Sequence, residues 1–171
     1  VINCAGVIPQ SSKQRGLNTR LYFTINSLFP VILNRIHRLP DMQDAPIDKP
    51  FTQPKRLKEA GVLFCFSYEG DMEAMGARNI PFTAGTAVAY GLSYEDAISS
   101  LSLNTAKILG IAKNIGSIET GKDATFFIST GDALDMRTNN VERAFIKGKP
   151  IDLNNHQKEL FEKYGYYNTN Y

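Results

Sequence analysis

A continuous apolar run, VLFCFS at residues 62–67, most constrains the fold of this chain. A strand with one solvated face alternates apolar and polar side chains, whereas an unbroken apolar run is typical of a strand buried on both faces. Predicted helices flank the run, PKRLKEAG before it and PFTAGTAVAYG after it. Strands and helices that alternate at this spacing favour βα units with parallel strands. The sequence therefore predicts an α/β protein.

Neighbouring segments fit the same alternation. VILNRI, at residues 31–36, is a second strand candidate. HRLPDMQDAPIDKPFTQP contains four prolines and is predicted to be a long loop, with the next helix starting near Pro54. Ser93, followed three residues later by Asp96, predicts the capped start of a helix over YEDAISSLSL, and TAKILG predicts a further short helix.

From residue 115 onward the pattern changes. IGSIETGKDATFFIS and VERAFIKGKPID predict strands joined by glycine turns, and LNNHQKELFEKYG predicts an amphipathic helix before a disordered end. We expect four parts along the chain: residues 1–30, 31–114, 115–153 (a small β element) and 154–171 (the tail helix and end).

The composition excludes several classes of partner. The 171 residues carry a formal net charge of +2 with scattered basic residues, so neither nucleic acid nor a membrane is an expected partner. No apolar run approaches the roughly 20 residues that span a bilayer. Cys4 and Cys65 lie in apolar runs and are predicted to be reduced core residues, as expected in the cytoplasm. The chain begins at Val1 inside a strand-like run, which predicts a truncated start.

The most specific motif is LSLNTAKILGIAKNIGSIETGKDA, at residues 101–124. It resembles the C-terminal part of amidohydrolases, particularly the imidazolonepropionase-like group, in which T-x-N-P-A-K-I-L-G precedes G-S-L/I-E-x-G-K-D-A. Thr105 stands where that family usually has proline. The resemblance covers residues 31–165.

This resemblance implies the last βα units of a (β/α)8 barrel with a small β-sandwich. It also implies hydrolysis of a C–N bond in a small molecule, such as a cyclic amide, by water bound to zinc, iron or manganese. Of the family's metal ligands, only the strand-eight aspartate could lie in this chain, and it falls at Glu69. Glutamate has the right charge but one more methylene group. Alternatively, Glu69, Asp71 and Glu73 are solvated acids at the start of a helix.

Three further residues are candidates for substrate binding. His37 follows the VILNRI strand and either contacts substrate or is a polar loop residue. Arg78 and Asn79 lie where related enzymes contact substrate, although Arg78 could instead pair with an acid of the preceding turn. The chain has only two histidines, and catalytic zinc usually has three protein ligands. We therefore expect that the isolated chain cannot complete the family's metal centre and is inactive.

The first 30 residues resemble something different. VINCAGVIPQ and INSLFP resemble a fragment of an extended short-chain reductase of the dTDP-4-dehydrorhamnose reductase kind. The glycine-rich phosphate loop and the Tyr-x-x-x-Lys pair of that family are absent, so this segment is not expected to hold NAD(P) by itself. A chimeric chain is one interpretation. Two alternatives to an amidohydrolase fragment stay open: a reductase remnant, and a non-catalytic module that self-associates or pairs with a complementing chain.

Overall fold

A computed structural model of the chain describes residues 30–34, 36–40, 42–68 and 73–165. The predictions for Cys4, for the reductase-like segment and for the disordered end therefore lie outside the described residues. None of the helices in the described part is long and apolar enough to cross a membrane.

Helices and strands alternate in the first part of the described chain and strands dominate after it, which confirms the α/β class. The elements in order are β1 (Val31–Asn34), α1 (Lys49–Glu59), β2 (Phe64–Ser67), a 3₁₀ helix (Glu73–Asn79), α2 (Ile80–Ala89), α3 (Tyr94–Leu101), α4 (Leu103–Ile108), β3 (Phe126–Ser129), β4 (Val141–Ile146), β5 (Lys149–Pro150) and α5 (His156–Tyr164).

Strands β1 and β2 form a parallel pair joined through α1. Their register places Val31 opposite Phe64 and Asn34 opposite Ser67. Parallel strands cannot be joined by a tight turn, so a crossover helix such as α1 is needed between them. Both strands therefore end at the same edge of the pair.

The main core forms where one face of this pair meets α2 and α3. Phe64 is 1% exposed and packs among apolar residues of the strands and helices. Ala84, Ala87 and Ala97 have no exposed surface, and their small side chains let α2 and α3 approach the strands closely. Cys65, on the opposite face of β2, is also buried, which confirms the prediction of a strand covered on both sides.

Helix α3 begins as its sequence predicts. The Ser93 hydroxyl accepts a hydrogen bond from the Asp96 backbone N–H at 3.1 Å and donates to the Asp96 carboxylate at 2.7 Å. These bonds satisfy one of the amide groups left without a partner at a helix start. The same carboxylate pairs with Lys58 of α1. The cap therefore also connects α3 to α1.

The prediction for α1 was wrong at its start. The helix begins at Lys49, so the loop before it is shorter than expected and Pro54 lies inside the helix. Pro50 occupies the first turn, where a missing N–H leaves no hydrogen bond unmade. Both proline rings are buried. Packing against the core therefore favours the helix despite the backbone bond that is lost at Pro54.

Strands β3, β4 and β5 form a separate antiparallel sheet. Phe126 of β3 stacks on Phe145 of β4 with ring centroids 5.0 Å apart. Phe127 and Ile128 remain about half exposed, at 54% and 45%. The sheet therefore presents apolar side chains that no described residue covers fully.

The segment IGSIETGKDATFFIS was predicted to contain strand and glycine turns, and the strand is limited to β3, Phe126–Ser129, with turns before it. Gly116 and Gly121 have φ angles of +100° and +91°, which are turn conformations that glycine adopts without a Cβ clash. Directly after Gly121, the Lys122 ammonium donates hydrogen bonds back to Ser117 and Glu119. These local bonds hold the part before β3 as a compact turn rather than as a strand.

The β3–β4 loop attaches this sheet to the α/β core. Leu134 of the loop is 4% exposed and belongs to the main core cluster. Gly85 of α2 lies directly against it, since a Cβ at position 85 would stand 2.2 Å from the Leu134 carbonyl oxygen. The Tyr94 hydroxyl donates to the Asp132 carboxylate at 2.8 Å and holds the start of the loop.

Helix α5 confirms the predicted tail helix. The Asn155 side chain caps it by accepting a hydrogen bond from the Lys158 N–H at 3.0 Å. None of its residues is buried, and Phe161 is 75% exposed.

Candidate functional site

The candidate site lies at the edge where β1 and β2 both end. Asn34 and Ser67 are opposite each other at the last paired position. His37 follows β1 and Tyr68 follows β2 directly. Ligand sites of open parallel α/β sheets lie outside the carboxyl ends of the strands. We call this region, with the face of α2 that it contacts, the strand-end edge.

His37 is exposed, and its ring is bound to α2. The Nε2 atom lies 2.8 Å from the Thr86 hydroxyl oxygen. The edge of the ring also packs against Phe51 of α1, with ring centroids 6.0 Å apart. His37 therefore joins the end of β1 to both helices. Its predicted contact with substrate stays a prediction.

Tyr68 makes a matching contact from the end of β2. Its hydroxyl oxygen lies 3.2 Å from that of Thr83, a residue with only 1% of its surface exposed. Thr83 and Thr86 are three residues apart and share one face of α2. Tyr68, Thr83 and Thr86 were not among the site residues predicted from the sequence. The spacing of the two threonines in the mostly apolar segment FTAGTAVA could have indicated two hydroxyl groups on one face of the helix.

Both threonine hydroxyls also bond to their own helix. Thr83 Oγ1 donates to the Asn79 carbonyl at 3.1 Å, and Thr86 Oγ1 donates to the Phe82 carbonyl at 3.0 Å. A hydroxyl has one proton, so a threonine that donates to a carbonyl is an acceptor for every other partner. Tyr68 is therefore the donor in its bond to Thr83.

Arg78 and Asn79 lie at the end of the 3₁₀ helix, and both are exposed. Asn79 precedes α2, and its backbone carbonyl accepts the Thr83 hydroxyl. Arg78 forms no ion pair with another described residue. Asp71 and the side chain of Glu73, its predicted alternative partners, lie outside the described residues. Substrate binding by Arg78 and Asn79 stays a prediction.

The predicted metal ligand, Glu69, lies outside the described residues. Within the residues that the structure does describe, no group of three or more His, Cys, Asp or Glu side chains could hold a metal ion. The second histidine, His156, lies on α5 with 75% of its side chain exposed, near Glu159 at 3.9 Å. The described donor set therefore does not fit a metal centre of the kind that the resemblance implies.

Cys65 is a core residue, as predicted. The thiol is free, and 5% of the residue is exposed. Burial raises the pKa of the Cys65 thiol above its usual value, and a hydrogen bond with Thr105 opposes that shift in part. Because the thiolate is the nucleophilic form, a raised pKa makes Cys65 a poor nucleophile.

Two relatives of known identity match part of the chain. An imidazolonepropionase from Flavobacterium psychrophilum is 28% identical over 112 residues, which cover 61% of this chain and 27% of that protein. An imidazolonepropionase from Bacteroides thetaiotaomicron is 32% identical over 87 residues, which cover 50% of this chain and 21% of that protein. The chain thus spans about a quarter of the length of these relatives.

Solved structures show the same relationship. An amidohydrolase from Thermotoga maritima matches with a TM-score of 0.58 and 29% identity, over 77% of this chain and 35% of that one. A prolidase complexed with N-methylphosphonate-L-proline matches with a TM-score of 0.53 over 76% of this chain and 38% of that one. At 16% identity the prolidase shows a shared fold and no more.

These matches support the amidohydrolase resemblance and give no support to the reductase resemblance of residues 1–30. A family model described as the amidohydrolase family matches residues 38–151, which is more than half of the 171 residues. The chain belongs to the amidohydrolase family.

Proposed function

We propose that this chain supplies the last two βα units of a (β/α)8 amidohydrolase barrel and part of its β-sandwich. The observation that carries the proposal is the parallel register from Val31 opposite Phe64 to Asn34 opposite Ser67. It brings the residues after both strands to one edge. In (β/α)8 enzymes the catalytic groups lie at the carboxyl ends of the strands.

The reaction that we propose is hydrolysis of a C–N bond in a small cyclic amide or imidazolone-like molecule. The matches to two imidazolonepropionases and the family match over residues 38–151 support this class of substrate. In this reaction Glu69 is the proposed proton acceptor and metal ligand. It follows Ser67, the last residue of β2, by two positions in the sequence.

Among the described residues, no group of three or more His, Cys, Asp or Glu side chains could hold a metal ion. We therefore propose that the isolated chain does not turn over substrate and that a complementing polypeptide, or a second copy of this chain, completes the site. The half-exposed Phe127 and Ile128 support such an association, since apolar sheet faces of this kind are usually covered in a stable assembly.

Arg78 and Asn79 are the proposed substrate-binding residues. Both are exposed at the end of the 3₁₀ helix, directly before α2, which carries Thr83 and Thr86. The Arg78 guanidinium offers a fork of N–H donors that suits a carbonyl or a carboxylate of the substrate. Replacing Arg78 with Lys keeps the charge and removes the fork, and this variant separates the two contributions.

A copurification experiment tests the proposed function. The tagged 171-residue chain is expressed in its source cell, and the purified complex is assayed on cyclic amides with zinc, manganese or iron. We expect hydrolysis by the complex and none by the chain alone. Glu69→Gln abolishes the activity, whereas Glu69→Asp, which restores the residue usual in the family, retains it.

Two results would count against the proposal. Hydrolysis at the same rate by the Glu69→Gln complex would remove Glu69 from the reaction. Robust hydrolysis by the isolated chain, lost in Glu69→Gln, would show that no complementing polypeptide is needed.

A further inference from the structure

The contact between His37 and Thr86 determines which ring nitrogen of His37 carries a proton. The Thr86 hydroxyl oxygen lies 3.0 Å from the Phe82 carbonyl oxygen. Two oxygen atoms at that distance repel each other unless a proton lies between them, and the carbonyl has none to give. The Thr86 proton is therefore used within α2.

Thr86 is then an acceptor toward His37. The Nε2 atom, 2.8 Å away, must carry the hydrogen of that bond. In a neutral imidazole only one nitrogen is protonated, so Nδ1 holds the free lone pair. The neighbouring Tyr68–Thr83 contact repeats this arrangement, since Thr83 also donates to its own helix. Helix α2 thus presents two hydroxyl acceptors to the strand-end edge.

The Nδ1 atom makes no hydrogen bond to any other described residue, and the His37 side chain is exposed. An exposed acceptor beside the ends of two parallel strands can bind a ligand that offers an N–H group. Cyclic amides and cyclic ureas offer such a group in their rings.

We infer that Thr86 is a positioning residue that holds His37 as an Nδ1 acceptor for a ring N–H of the substrate. This inference rests on the proposed function, because that function supplies the class of ligand. It goes further by assigning the atom that recognises the ligand and the residue that orients it.

Nitrogen NMR of the histidine rings tests the assignment directly. The chain contains only two histidines, so the exposed His156 serves as an internal control. Spectra that correlate ring nitrogens with ring protons are recorded at a pH at which both imidazole rings are neutral. The nitrogen chemical shifts of each ring show when this condition is met. We expect a single Nε2–H form for His37 and a mixture of the two forms for His156.

Two variants separate positioning from folding. Thr86→Val keeps the shape and removes the acceptor, and we expect His37 to become a mixture like His156. Thr86→Ser keeps the hydroxyl, and we expect it to restore the single form. A wild-type His37 with its proton on Nδ1 overturns the inference, and so does a Thr86→Val spectrum that matches the wild type. If Thr86→Val does not fold, the wild-type and Thr86→Ser spectra still decide the point.

The ligand is tested with a matched pair of cyclic ureas. 2-Imidazolidinone offers ring N–H groups, whereas 1,3-dimethyl-2-imidazolidinone has the same ring without them. We expect 2-imidazolidinone, and not the dimethyl compound, to shift the Nδ1 resonance of His37. The His156 resonances should stay unchanged with both compounds. Equal shifts from both compounds, or a shift from neither, overturn the ligand assignment.

The two proposals fail in different ways. If the copurified complex hydrolyses no cyclic amide but His37 shows the single Nε2–H form, the proposed function fails and the tautomer stands. If hydrolysis occurs while His37 carries its proton on Nδ1, only the present inference fails.

Discussion

Replacing Gly85 with Ala perturbs the contact that joins the β3–β4 loop to the α/β core. A Cβ at this position would stand 2.2 Å from the Leu134 carbonyl oxygen, and real Cβ contacts essentially never fall below 3.0 Å. Helix α2 and the loop must therefore separate by close to 1 Å. Leu134, at 4% exposure, would lose part of its packing, and Tyr94, bonded to Asp132 at 2.8 Å, restrains the loop from moving freely.

Two opposing effects determine the size of the change. Alanine is favoured over glycine inside a helix by about 1 kcal/mol. Overpacking costs about 1–3 kcal/mol, and burial of a leucine side chain contributes about 1.5–3 kcal/mol, part of which is lost here. We expect Gly85→Ala to lower the free energy of unfolding by about 2 kcal/mol.

Urea unfolding followed by circular dichroism measures this change. We expect the midpoint to fall while the slope with urea stays constant, since the surface exposed on unfolding is nearly the same. Gly76→Ala is the matched control. Its Cβ would meet the Tyr68 ring at 2.9 Å, but a side chain can move away more easily than a backbone carbonyl. That variant should lose less stability.

A double variant checks the assigned cause. Leu134→Ala alone should cost about 2–5 kcal/mol, as for other buried leucines. If Gly85→Ala acts by displacing Leu134, its cost becomes smaller in the Leu134→Ala background. A Gly85→Ala chain as stable as the wild type, or fully additive costs, would refute the proposed contact.

Three further predictions concern the helix cap and the buried thiol. Ser93→Ala removes the α3 cap and should lower stability by about 1 kcal/mol in the same urea assay, whereas an unchanged midpoint would show that the cap is not needed. Hydrogen bonds from Lys58 and Ser93 lower the pKa of Asp96. The charged carboxylate therefore stabilises the fold fully at pH values above the ordinary pKa of an aspartate. That stabilisation is lost as the pH falls through the lowered value. Asp96→Asn should therefore lower the free energy of unfolding by about 0.5 kcal/mol at pH 7, and this difference from the wild type should disappear in strong acid. A difference that persists in strong acid would contradict an origin in the charged carboxylate. Burial raises the pKa of the Cys65 thiol, so in a Cys4→Ser background a thiol reagent should label the unfolded chain far faster than the folded one, and equal rates would exclude a buried thiol.

The predictions that held depend on local pattern or local hydrogen bonds. The apolar run VLFCFS predicted β2 because each of its side chains needs burial, and residues 64–66 are indeed buried. Ser93 and Asp96 predicted the start of α3 because a cap needs only residues three positions apart. The family motif at residues 101–124 predicted the family without any structure.

The features that were missed depend on tertiary contacts. The start of α1 was missed because prolines usually break helices, whereas Pro50 and Pro54 are buried in this one. Thr86 was missed because its partner, His37, lies 49 positions away in the sequence. A single leucine in the polar loop GDALDMRTNN gave no sign that Leu134 would join the core. A sequence pattern specifies neighbours along the chain more readily than neighbours in space.

We propose that this amidohydrolase segment contributes one metal ligand, Glu69, and does not complete a metal centre alone. A zinc titration of the purified 171-residue chain against a competing chelator measures this directly. We expect no site that binds one zinc ion per chain with submicromolar affinity, since such sites usually need three or more protein ligands. One tightly bound zinc ion per chain, lost in Glu69→Gln, would contradict the claim.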